Sequence, residues 1–255
     1  MARRYLWRRK TAHEAPVTGA EGGPPGGRRA PVTVELLGGD GFDIAVTGAG
    51  ATVGHYLAAL EGVPALTGWS AAPCRTCCRC CRGRIPLTVM DLKPLFRATD
   101  AGRGLKALPA FLARHAWVSV RGRAVDVVLR TDEDGYCVFL DRSGGLCRIY
   151  PARPLVCRTY FCLPQGPGAR KLRAALVNAG MDELVRRWLA AALALRIPPV
   201  VHEAEEPSLR LADWPPTALG GRRDPRRVYL RELVSPALWD LLYRGHPDAT
   251  GKPAR

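Results

Sequence analysis

The residues with the clearest chemistry are cysteines, and five of them fall within eight residues. They are Cys74, Cys77, Cys78, Cys80 and Cys81. Disulfides between such close neighbours would be strained, whereas a two-residue spacer lets two sulfurs converge on one metal ion. Neighbouring arginines would lower the pKa of the thiols and offset the charge of a thiolate site. This segment therefore predicts metal ligation.

Four further cysteines follow within 26 residues, at Cys137, Cys147, Cys157 and Cys162. Any one of them could be a buried core residue, because a free cysteine packs as a small hydrophobe. Their number, downstream of the first group, favours ligation by at least two. We predict that the two groups converge, because neither alone fills two four-coordinate sites without leaving loose thiols.

The identity of the metal stays open at this point. Thiolate-only ligation suits both zinc and iron–sulfur clusters. Cys74, Cys77 and Cys80 reproduce the three-cysteine run of bacterial cluster-binding sequences. Because paired CxxC knuckles are missing from the sequence, a structural zinc ribbon is disfavoured, and the pattern slightly favours an iron–sulfur cluster over zinc.

Taken in order, these motifs resemble the YkgJ-type cysteine-cluster family of zinc- or iron-chelating CxxCxxCC proteins, which is related to flagellin lysine N-methylase. The matching residues are Cys74-x-x-Cys77-x-x-Cys80-Cys81, Pro86-Leu87-Thr88-x-x-Asp91-Leu92, Cys137-x-Phe139-Leu140 and Cys147-x-Ile149-Tyr150-x-x-Arg153-Pro154-x-x-Cys157-Arg158-x-Tyr160-x-Cys162. The resemblance implies eight metal ligands, namely Cys74, Cys77, Cys80, Cys81, Cys137, Cys147, Cys157 and Cys162. Cys78 stands where the family commonly has glycine, so we expect its sulfur to point away from the site.

Charge and cysteine usage bound the partners and the compartment. The net charge is +15, and 33 of the 38 basic residues are arginines spread along the chain rather than gathered in one stripe. Nucleic-acid binding is therefore a secondary alternative. Thiols stay reduced in the cytoplasm, which is the predicted location. The longest apolar helical stretch, residues 189–195, is too short to span a membrane, so no membrane partner is expected. The expected partners are a metal ion or cluster and a protein of unknown identity.

The pattern predicts an α+β fold with a small, loop-rich, metal-stapled cysteine-cluster core. We expect a flexible basic tail at 1–30, a β-hairpin region at 31–72, the metal-binding domain at 73–165, and a helical, Pro/Arg-rich extension at 166–255. The segment Gly48–Gly54 departs from the dinucleotide-binding spacing and reads as a glycine-rich turn.

Elements were assigned from period, turn residues and caps. Strands are expected at 32–36 and 42–46, and a second hairpin at 125–129 and 136–140, with Cys137 on its second strand. Helices are expected at 52–60, from Thr88 onwards with Asp91 three residues later, and at 105–115, 182–196 and 236–243.

Three classes of function are compatible with these patterns. The first is a redox or iron–sulfur protein, or a subunit of an enzyme. The second is a structural-zinc module that binds a partner, and the arginine excess favours a nucleic acid as that partner. The third is a methylase-like enzyme, by analogy with the flagellin-modifying relatives. The sequence names no catalytic residue, and His55 or His115 could approach the site only through the fold.

Overall fold

The computed structural model describes residues 30–38, 41–70, 78–102, 104 and 106–244. Apart from residue 30, the predicted basic tail lies outside these residues, as do Cys74 and Cys77. The fold is α+β, as predicted, with helices packed on small sheets.

The N-terminal hairpin is confirmed. Strands β1 (Val32–Leu36) and β2 (Phe42–Val46) pair antiparallel. Helix α1 (Val53–Glu61) follows. It begins after Thr52 because the Thr52 side chain accepts a hydrogen bond from the His55 backbone N–H, while the His55 ring nitrogen accepts from the Thr52 backbone N–H at 3.1 Å. This reciprocal cap satisfies backbone donors that the helix itself leaves unpaired. The short helix α2 (Val63–Thr67) ends the region.

Of the second predicted hairpin, only the chain reversal around Asp134-Gly135 forms, and residues 136–140 make no ladder with 125–129. Strand β4 (Ala124–Leu129) pairs antiparallel with β3 (Ala116–Arg121), through a turn in which Gly122 has φ 57°. The other edge of β4 exchanges backbone hydrogen bonds with Ile85 and Leu87, so both of its edges are occupied. Cys137 consequently lies in a loop, joined to Thr131 by an isolated bridge.

The remaining strands are short. Strand β5 (Leu140–Asp141) pairs antiparallel with β6 (Leu146–Cys147), and β7 (Glu203–Glu205) adds to β3 in parallel. The β5–β6 ladder fixes Cys147 opposite Leu140.

Five further helices lie in the described part of the chain. They are α3 (Leu92–Ala98), α4 (Ala107–His115), α5 (Leu155–Arg158), α6 (Pro167–Leu195) and α7 (Pro236–Leu242). The predictions at 105–115 and 236–243 are confirmed. The helix expected from Thr88 begins only at Leu92, because Thr88 and Asp91 close a turn in which the Asp91 N–H donates to the Thr88 carbonyl at 3.0 Å.

Helix α6 begins at Pro167 instead of Asp182 and serves two hydrophobic cores. Leu172 and Leu176 pack into the core formed with the N-terminal hairpin and α1, and Leu184 and Trp188 into the core formed with β3 and β4. Positions 172 and 184 lie about 120° apart around the helix axis, so the helix lacks one continuous apolar stripe. Only the second half of this helix, near residues 182–196, has the sequence periodicity that predicts a helix.

A buried carboxylate joins the C-terminal segment to α6. Glu183 is fully buried, and it accepts hydrogen bonds from the guanidiniums of Arg186 and Arg187 at 3.0 Å and from the Thr217 hydroxyl at 3.3 Å. Burial alone would raise the pKa of Glu183, but the two guanidiniums hold it below its usual value. The described helices include none that is long and apolar enough to cross a membrane.

Candidate metal centre

The first cysteine group enters the described structure at Cys78. Its backbone is left-handed, with φ 47° and ψ 13°, and it precedes a 3-10 turn over Arg79–Cys81. The Cys81 N–H donates to the Cys78 carbonyl at 3.0 Å and closes this turn. Glycine adopts a left-handed backbone without the steric penalty that a Cβ brings. The Cys78 backbone is therefore one that glycine would adopt more readily than cysteine.

A backbone hydrogen bond joins the two cysteine groups. The Cys137 N–H donates to the Cys81 carbonyl at 2.7 Å, and the Cys137 carbonyl accepts from the Leu140 N–H at 2.8 Å. Cys137 is buried, and Leu140 pairs with Cys147 in the β5–β6 ladder. Three cysteine-bearing segments are therefore connected through the main chain.

Asp91 positions the fourth segment. Its carboxylate is buried, and Oδ2 accepts from the Thr88 N–H at 2.8 Å and from the Thr88 hydroxyl at 2.7 Å. Oδ1 accepts from the Leu155 N–H at 2.6 Å, at the start of α5, which carries Cys157. Burial raises the pKa of Asp91 to about 6. In the sequence, Asp91 is a residue of the resembled motif and a helix-start residue, and its spacing from Thr88 was the available signal for its role here.

The thiols of this region interact electrostatically. The Cys81 thiol donates to the Cys80 sulfur and lowers the pKa of Cys80 to about 6, while the same hydrogen bond raises the pKa of Cys81. Burial raises the pKa of Cys137, Cys147 and Cys157, and neighbouring thiolates raise each of the three further. A cation that replaces the thiol protons would relieve both effects, which makes binding pH-dependent.

Arg153 supplies positive charge to this region. Its guanidinium stacks over the Tyr150 ring at 3.9 Å and favours the thiolate forms of Cys80 and Cys147, although burial still holds the pKa of Cys147 above its usual value. Its Nε atom is buried and has no hydrogen-bond partner among the described residues.

The predicted ligands fall into three sets. Cys80, Cys81, Cys137, Cys147 and Cys157 are brought into one electrostatic group. Cys162 is exposed in the turn after α5. Cys74 and Cys77 lie outside the described residues. Within the described part of the chain, no three His, Cys, Asp or Glu side chains are arranged to hold a metal ion.

The two histidines considered as additional ligands have other contacts. His55 caps α1. The His115 ring stacks on Phe139 and packs against Phe111, with centroids 5.5 and 5.4 Å apart. Both rings are accounted for by capping and packing.

Comparison with known proteins gives one match. Residues 73–171 match the CxxCxxCC family model, which is described as a "Putative zinc- or iron-chelating domain". The comparisons with curated proteins and with solved structures found no significant match.

Proposed function

We propose that this chain, whose residues 73–171 are a CxxCxxCC domain, binds zinc or iron through cysteine thiolates. The proposed ligands are the eight cysteines that the family resemblance implies: Cys74, Cys77, Cys80, Cys81, Cys137, Cys147, Cys157 and Cys162. The match of residues 73–171 to the zinc- or iron-chelating family model carries the proposal, and the backbone contacts that connect the Cys81, Cys137 and Cys147 segments support it.

The surroundings of the thiols support ligation. Closely spaced thiolates repel one another, and burial penalises each charge further. A divalent ion or a cluster would compensate both penalties, and Arg153 would offset the remaining negative charge. Sulfur-only donors suit zinc and iron–sulfur clusters. When bound, zinc would hold the segments together, whereas a cluster would also carry electrons.

Within this proposal we favour an iron–sulfur cluster, because of the three-cysteine run at Cys74, Cys77 and Cys80. A redox role, alone or within an enzyme complex, follows from that choice. The thiols of Cys80, Cys81 and Cys137 form no disulfide bonds, which supports a cytoplasmic location within this proposal. The structural-zinc alternative uses the same ligands. The methylase-like alternative rests on the family resemblance alone.

Anaerobic purification followed by metal analysis and a visible absorption spectrum tests the proposal. Iron with visible charge-transfer bands supports a cluster, and zinc without such bands supports the structural alternative. A Cys137→Ser variant should lose most of its metal, because a hydroxyl is a poor substitute for a thiolate. Cys78→Gly is the matched control and should retain the metal. Metal-free wild type, or full occupancy in Cys137→Ser, contradicts the proposal.

A further inference from the structure

A cleft of about 1060 Å³ lies beside the cysteine group. One wall is α3, the second is the segment 153–158, and the third is the loop 222–226. Asp91 and Arg153 line this cleft and also act electrostatically on the thiols, so the cleft adjoins the candidate metal centre.

The lining is strongly basic. Its eight cations are Lys93, Arg97, Arg153, Arg158, Arg187, Arg222, Arg223 and Arg226, against the carboxylates of Asp91, Asp100 and Asp224. Eight positive and three negative charges leave a formal excess of five. The oxygens of Asp91 are bonded to Thr88 and Leu155 rather than to one of these cations.

Ion pairs account for only three of the cations. Arg187 pairs with Glu183 at 3.0 Å, Arg222 with Glu232 at 3.7 Å, and Arg226 with Asp224 at 3.1 Å. The other five have no ion pair among the described residues, and they are Lys93, Arg97, Arg153, Arg158 and Arg223.

These charges come from segments far apart in sequence, so only the fold gathers them. Like charges around one concavity repel one another and raise the local positive potential. An anion in the cleft would relieve this repulsion. Guanidinium groups match phosphate and carboxylate oxygens with paired hydrogen bonds.

We propose that this cleft binds a small polyanion bearing phosphate or carboxylate groups, next to the metal centre. The volume is at the upper end of the range for small-molecule sites, about 300–1000 Å³. A concave site of this size favours a compact metabolite-like ligand over a nucleic-acid backbone, which tracks along an extended basic surface.

Isothermal titration of the as-purified protein with pyrophosphate and with citrate tests the proposal and separates phosphate from carboxylate recognition. The test variant is Arg97→Gln/Arg223→Gln, because both side chains are exposed, line different walls and lie outside the proposed ligand set. The matched control is Arg123→Gln/Arg210→Gln, with the same loss of charge at two exposed positions outside the cleft.

We expect saturable binding of at least one probe, weakened about tenfold or more by the cleft variant and little by the control. Metal content should be the same in all three proteins, so failure of anion binding is distinguishable from failure of metal binding. Absence of saturable binding overturns the proposal, as does equal weakening in the two variants. A duplex oligonucleotide that binds more tightly than either probe and is equally affected by both variants indicates a diffuse nucleic-acid surface, and also overturns it.

Discussion

Replacement of Asp91 by asparagine tests how the fold positions the second cysteine group. The two carboxylate oxygens serve different segments: Oδ2 holds the Thr88 turn, and Oδ1 holds the Leu155 N–H at the start of α5. Asparagine keeps the shape but has one carbonyl oxygen. Whichever way the amide is turned, its NH₂ group faces a donor.

The magnitude follows from the groups left unpaired. If the amide oxygen stays with Thr88, the buried Leu155 N–H loses its acceptor, which costs about 1–3 kcal/mol. The opposite orientation leaves the Thr88 N–H unpaired, while the Thr88 hydroxyl can turn to accept from the amide. Because the variant no longer buries a charge, part of this cost is offset at neutral pH, and we expect a net loss of about 1–2 kcal/mol at pH 7.5.

The raised pKa of Asp91 predicts how the stability difference between wild type and Asp91→Asn changes with pH. The folded wild type holds the Asp91 proton up to about pH 6, whereas the usual pKa is 3.8. Protonation therefore stabilises the folded wild type as the pH falls from about 6 towards 4, and this contribution is lost as the pH rises through 6. Asparagine does not titrate, so the difference between wild type and Asp91→Asn should be larger at pH 5 than at pH 7.5.

Urea unfolding at both pH values, with metal analysis of the same samples, is the assay. We expect Asp91→Asn to hold less metal than wild type, because α5 and Cys157 lose their anchor. Asp141→Asn is the control, since Asp141 also accepts from a backbone N–H and a hydroxyl, both of Ser143, but at the surface. If the two variants match in stability and metal content, Asp91 does not position the site.

Three further outcomes are expected. Gly180→Ala should lower the free energy of unfolding by about 1–3 kcal/mol, although alanine normally favours a helix, because the added Cβ would lie 2.7 Å from the Thr88 Cβ. The control Ala174→Gly, at an exposed position on the same helix, should lower it by about 1 kcal/mol. If urea unfolding showed that Gly180→Ala stabilises the protein, this packing would be contradicted. Cys78→Gly should be as stable as wild type or more so, because a left-handed backbone costs a non-glycine residue about 1 kcal/mol or more; loss of metal by this variant would show that the Cys78 sulfur is a ligand. Chelation should lower the thermal midpoint of residues 74–162, since the binding energy of such a site is largely folding energy, and an unchanged midpoint by calorimetry would argue against a metal-held core.

Local chemistry explains what the sequence could establish. The cysteine spacing indicated thiolate ligation, and the hairpin of β1 and β2, the helix after Thr52 and the helix after Ser235 were all readable from alternation, turns and caps. In each case the deciding contacts lie within a few residues: the Ser235 hydroxyl accepts from the Leu238 N–H, and Thr52 exchanges hydrogen bonds with His55. The glycine preference at Cys78 likewise has a local backbone cause.

Only the tertiary structure decided which segments meet. Strand β3 occupies one edge of β4 and the distant segment Ile85–Leu87 occupies the other, which left Cys137 in a loop. The acceptor role of Asp91 for the Leu155 N–H depends on a contact across 64 positions. The basic cleft assembles arginines from four distant segments, so their scatter along the sequence concealed their proximity. The spacing of residues in the sequence determines which of them share one turn of the chain. The packing of α6 against both hydrophobic cores determines which distant turns lie next to each other.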